Sequence, residues 1–256
     1  MTPVVGIDFD NTLVSYDAVI HDLAYDRSTF LRRIGLDPAK RTILFAGSGG
    51  EYHYFEMLQA FEQLRAQSGD YQLILRIYPD KAVMASPYMT PLVQYARTVS
   101  GVYVSIGDPN ARLPGSEREP PQIEQAELWH ALRHSDVVVN LYSTIALEAC
   151  LFDKPAIYVT YYPMRSYAWR KPPEYVDYGL YLHNRRLMSY GATPVARDRV
   201  ELLRLIQEAV ADPGRYKRER ALAVQQELGQ LDGRVTERLA DACIEALHEA
   251  RRGRAG

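Results

Sequence analysis

The chain has 256 residues, with 30 Lys plus Arg against 32 Asp plus Glu for a formal net charge of -2, and its 47% hydrophobic content can fill the core of a large domain. Balanced charge excludes the broad basic field that would hold nucleic acid, so any charge-driven recognition has to be local. No stretch approaches the roughly 18 consecutive apolar residues of a membrane helix, and the N-terminus lacks the basic flank and long apolar run of a secretory signal.

Short β-branched runs alternate with stretches of helical period, the pattern of βα units around a parallel sheet. The predicted strands are Pro3 to Asp8, Thr42 to Ala46, Gln72 to Ile77, Val102 to Ile106, Val137 to Leu141 and Ala156 to Thr160. Buried parallel strands read as continuous apolar runs, as Val137, Val138 and Val139 do. Between the strands, Met57, Leu58, Phe61 and Leu64 share one helical face, and Leu128, Trp129 and Leu132 share another. Gly107 to Gln122, rich in Pro, Gly and charge, reads as a surface loop, and Tyr161 to Tyr181 as a second long loop over one end of the sheet. From Asp198 the chain is helical, with one stripe of Leu202, Leu203, Ile206 and Val210 and another of Val235, Leu239, Cys243 and Leu247. Cys150 and Cys243 both fall in apolar helical patterns and are expected to be packed free thiols, as suits a reducing cytoplasm. His130 and His134 stand at an i, i+4 spacing, but no HExxH pattern surrounds them, so they read as ordinary helix surface with no metal.

In an open parallel sheet, ligands gather beyond the carboxyl ends of the strands. The run from Val137 to Ala149 fits such a junction: a strand ends near Tyr142, and a helix begins at Ser143 or Thr144. Both are good cap residues whose hydroxyls and neighbouring amides could hold a phosphate. Glu148 lies four residues after Thr144 on the same face, placed to accept hydrogen bonds from a ribose. Spacing alone is met equally well by a serine that only caps the helix and a solvated first-turn acid. Gly47 and Ser48 open a small donor-rich turn after another strand, where glycine permits close backbone approach. Arg76 is available to a phosphate, or is simply a surface arginine.

The run from His134-Ser135-Asp136 through Lys154-Pro155-Ala156-Ile157 resembles the donor-site signature of GT-B glycosyltransferases and their relatives, the CDP-glycerol glycerophosphotransferases and UDP-GlcNAc 2-epimerases. Gly35-Leu36-Asp37-Pro38, Arg76-Ile77-Tyr78-Pro79, Tyr216-Lys217-Arg218 and Leu231-Asp232-Gly233-Arg234 agree with that pattern, although many relatives carry a His where this chain has Tyr78. The resemblance implies an α/β, Rossmann-like parallel sheet with helices on both faces, the donor half of a GT-B enzyme, over residues 26–256. It further implies that Ser143 and Thr144 hold the phosphates of a nucleotide-sugar, or nucleotide-activated alcohol, and that Glu148 contacts the ribose. GT-B chemistry requires no bound metal, and transfer would need an acceptor domain, as a partner or through self-association.

Val4 to Leu13 is a strand running into D-x-D-x-T and resembles the first motif of haloacid-dehalogenase-type (HAD) phosphatases over residues 1–25. That resemblance would make Asp8 the nucleophile and Asp10 the general acid and base of a Mg²⁺-dependent phosphohydrolase. Three functions are thereby in play: a donor-binding glycosyltransferase half, a HAD-type phosphohydrolase, and a non-catalytic interaction module.

Overall fold

The computed structural model describes residues 25–47, 51–78, 84–106, 122–141, 143–161, 182–232 and 234–253. The strand at Pro3 to Asp8, the positions Asp8 and Asp10, Ser48, and nearly all of the two long loops lie outside these residues. Six parallel strands, β1 (Arg41–Gly47), β2 (Tyr71–Ile77), β3 (Val102–Ile106), β4 (Val137–Asn140), β5 (Ala156–Val159) and β6 (Val195–Ala196), form one sheet in the order β3-β2-β1-β4-β5-β6. The helices described are α1 (Arg27–Arg33), α2 (Glu51–Gln67), α3 (Met89–Thr98), α4 (Gln122–His134), α5 (Ile145–Leu151), α6 (Leu182–Ser189), α7 (Arg199–Ala211), α8 (Lys217–Glu227) and α9 (Val235–Gly253).

The strands are apolar on both sides because helices cover both faces. Ile43, Phe45, Leu73, Leu75, Val137 and Val139 pack under α2, α3 and α7, while Leu44, Ala46, Ile74 and Val138 pack under α1, α4, α5 and α8. The chain fixes where helices start through short acids. Asp26 accepts from Thr29 N at 2.7 Å to begin α1, and Asp198 accepts from Glu201 N at 2.8 Å to begin α7. Gly35, at φ +78°, stops the chain just beyond α1 in a conformation other residues resist.

Five expected strands are present within two residues at each end; β6 is new, and two residues are too few to show a period. Of the stripe expected on α9, Cys243 is exposed and Leu247 is 60% exposed, as is the neighbouring Ile244 at 52%, so this half of the stripe is not buried; the side chains of Val235 and Leu239 lie outside the described residues. Cys150, by contrast, is buried on α5, so only one of the two thiols is packed. Among the described residues, no helix is long and apolar enough to cross a membrane.

Candidate functional site: the crevice between β1 and β4

Strand order reverses between β1 and β4, the place where α2 leaves to one face and α5 to the other. A crevice must open beyond the carboxyl ends of these two strands, and their register brings the ends level, with Ala46 opposite Asn140. Gly47 therefore stands on one lip, and the turn from Asn140 to Ser143 and Thr144 on the other.

On the β4 lip, α5 starts at Ile145, and Thr144 occupies the cap position without a side-chain cap bond. Ser143 Oγ accepts a long bond from Ile145 N at 3.4 Å, while the Ser143 amide donates to Asn140 Oδ1 at 3.0 Å. Ser143, Thr144 and Glu148 are all half-buried. The turn itself is held by Asn140, a residue to which the sequence had assigned no role. It is fully buried, and its amide also donates to the Ile157 carbonyl at 3.4 Å. A polar side chain ending an apolar strand three residues before a serine was the readable signal.

On the β1 lip, Gly47 faces protein. A Cβ at this position would lie 2.7 Å from Tyr54 Cε1 and 2.8 Å from Cζ, so the glycine admits the Tyr54 ring. Tyr54 is fully buried; its hydroxyl donates to the Gly47 carbonyl at 2.8 Å and accepts from Tyr78 N at 3.1 Å. Burial pushes its ionisation up to about 12, so it remains a neutral phenol. Behind this lip, Glu56 of α2 takes a bidentate ion pair from Arg199 of α7 (2.6 and 2.5 Å) and a hydrogen bond from Tyr161 (3.1 Å) just past β5. Residues 105 to 143 positions apart meet here, a distance over which no local pattern operates.

Arg76 is buried near the carboxyl end of β2, level with Ala46, rather than on the surface. It is 8% exposed, donates to Ser105 Oγ on β3 at 3.0 Å and lies 4.0 Å from Glu127 of α4, which also accepts from Ser105. The structure thus separates it from Ser143, Thr144 and Glu148 by a strand. The outer parts of the matched signature also lie elsewhere. Asp136 and Lys154 precede β4 and β5 at the amino ends of the strands, away from the crevice, where Asp136 accepts from Thr42 N (2.7 Å) and from Arg27 (2.8 Å). Only the middle of the signature reaches the mouth, because the chain climbs β4, turns, and descends α5.

His130 and His134 are buried at 5% and 7% exposure and stacked on each other, with Phe30 of α1 stacked on His130 and tilted against His134, which corrects their reading as helix surface. The two buried apolar side chains of α1, Phe30 and Leu31, bring it against this face of α4 and exclude water. His134 Nε2 bonds the Tyr25 carbonyl at 2.9 Å, and burial holds this imidazole down to about 4. Among the described residues no group of His, Cys, Asp and Glu has the makeup of a metal site.

No protein-family model matches the chain, and no curated protein does. Solved structures do. A Staphylococcus aureus MnaA–UDP co-structure is similar at a TM-score of 0.58 with 15% identity, over 91% of this chain and 53% of that one. UDP-GlcNAc 2-epimerase from Neisseria meningitidis bound to UDP-GlcNAc is similar at 0.53 with 10% identity, over 91% and 52%. The wall teichoic acid polymerase TagF is similar at 0.51 with 14% identity, over 92% and 51%. These likenesses establish the fold: a Rossmann-like domain of the kind found in GT-B glycosyltransferases and epimerases. The chain spans about half the length of these proteins. The HAD-like reading of residues 1–25 falls almost wholly outside the described residues, and the similar structures lend it no support.

Proposed function

We propose that this chain binds a nucleotide-sugar, or a nucleotide-activated alcohol, in the crevice between β1 and β4, as the donor half of a GT-B type transferase. The observation that carries this reading is the strand-order reversal between β1 and β4, with Gly47 and the Asn140–Ser143 turn level on its two sides. Similar folds solved with UDP and UDP-GlcNAc support the choice of ligand class. In this reading Ser143 and Thr144 face the diphosphate and Glu148 faces the ribose. Transfer uses no bound metal, because amide dipoles and hydroxyls at the turn offset the charge of the leaving diphosphate. The group accepting the sugar is supplied by an acceptor domain, in a partner or a second copy.

The test is a thermal-shift screen against UDP, CDP, CMP, GDP and their sugar conjugates, with and without Mg²⁺. A ligand that binds the native state at 100 times its Kd stabilises by about 2.7 kcal/mol, a readable shift. A metal-independent shift with one nucleotide family supports the reading and names the base. Stabilisation only by Mg²⁺ with a phosphate mimic would move the chemistry to Asp8 and Asp10, and no shift with any nucleotide would leave a non-catalytic interaction module.

A further inference from the structure

Backbone groups at the end of a strand lose their ladder partners, and near a crevice they need other partners or water. Here two fully buried side chains supply them. Tyr54 joins the ends of β1 and β2, donating to the Gly47 carbonyl at 2.8 Å and accepting from Tyr78 N at 3.1 Å. Asn140 joins the β4 turn to β5, accepting from Ser143 N at 3.0 Å and donating to the Ile157 carbonyl at 3.4 Å. Both side chains have 0% exposure, so neither reaches into the crevice.

We propose that the crevice is pre-shaped by Tyr54 on one lip and Asn140 on the other, each a positioning residue that acts on a bound nucleotide only through the backbone it holds. This rests on the nucleotide reading above. A flexible lip would have to be ordered when ligand binds, and holding it beforehand removes that cost. One consequence is specific: the Ser143 amide is already engaged, so Ser143 meets a ligand through its hydroxyl.

The experiment measures UDP affinity by calorimetry and amide hydrogen exchange without ligand, in the full chain and in Tyr54→Phe, Asn140→Ala and Asn140→Asp. Tyr54→Phe should speed exchange at Tyr78 and Asn140→Ala at Ser143, while the amides of β1 and β4 interiors stay protected. Asn140→Asp retains an acceptor for the Ser143 amide and should restore its protection, a rescue that general destabilisation would not produce. Each of the first two variants should bind UDP about five- to tenfold more weakly, the worth of about one hydrogen bond, and the double variant by about the product. Faster exchange at the two amides with unchanged UDP affinity would overturn the proposal, as would unchanged exchange. If the unaltered chain binds no nucleotide, the nucleotide reading fails by itself, and the exchange data still decide whether these side chains hold the lips.

Discussion

Gly47→Ala separates two reasons for a glycine at the crevice: room for a ligand, or room for Tyr54. The added Cβ would sit 2.7 Å from Tyr54 Cε1 and 2.8 Å from Cζ, well inside contact distance, against a ring with no exposed surface to move into. Overpacking of this kind costs about 1–3 kcal/mol. If the ring is displaced, the bonds from its hydroxyl to Gly47 O and from Tyr78 N are lost as well, at about 1 kcal/mol each. The expected loss is therefore about 1–3 kcal/mol if the ring stays and about 3–5 kcal/mol if it is displaced, measured without ligand as a lower urea midpoint with an unchanged m-value. In a Tyr54→Leu background the same alanine points into vacated space and should cost under about 1 kcal/mol, so the two changes are strongly coupled. Additive costs would refute the packing argument. Full stability of Gly47→Ala with loss only of nucleotide binding would show that the glycine serves the ligand.

Arg220, 1% exposed, bonds Asp153 and the carbonyls of Pro213 and Arg215, and so ties α8 to the turns before it and after α5. Because those partners lie on exposed turns that water can reach, Arg220→Met should cost about 2–4 kcal/mol rather than more in urea unfolding, and a loss near zero would show that water replaces the guanidinium completely. His134, held down to about 4 from an ordinary 6.5, binds fewer protons folded than unfolded between these values, so stability present above pH 6.5 is lost as pH falls toward 4. At pH 5 the loss is about 2 kcal/mol, and His134→Gln should flatten that part of the urea-midpoint profile; an equally steep profile in the variant would assign the effect elsewhere. Burial pushes the Cys150 thiol up to about 12, whereas Cys243 is exposed, so a thiol reagent should label one cysteine in the native chain and two after unfolding. Rapid native labelling of both would place Cys150 outside the core.

The α/β class and five of the strands were legible because continuous apolar runs such as Val137 to Val139 and Ile43 to Phe45 follow from burial on both faces, a local property of the chain. The turn at Ser143 and Thr144 was legible for the same reason, as polar cap residues directly after such a run. Arg76 was legible as a charge but not as a buried one, since Ser105 and Glu127 reach it from β3 and α4. His130 and His134 were misread because α1, which covers them, is distant in sequence and only seven residues long. In the same way, Gly47 carried no mark of Tyr54, and Glu56 none of Arg199. Secondary structure, strand burial and the polar turn follow from neighbours within a few residues, so the sequence by itself determines them. Strand order, the partners of buried charges and the shape of the crevice depend on which distant segments share a face, and only the tertiary structure decides that.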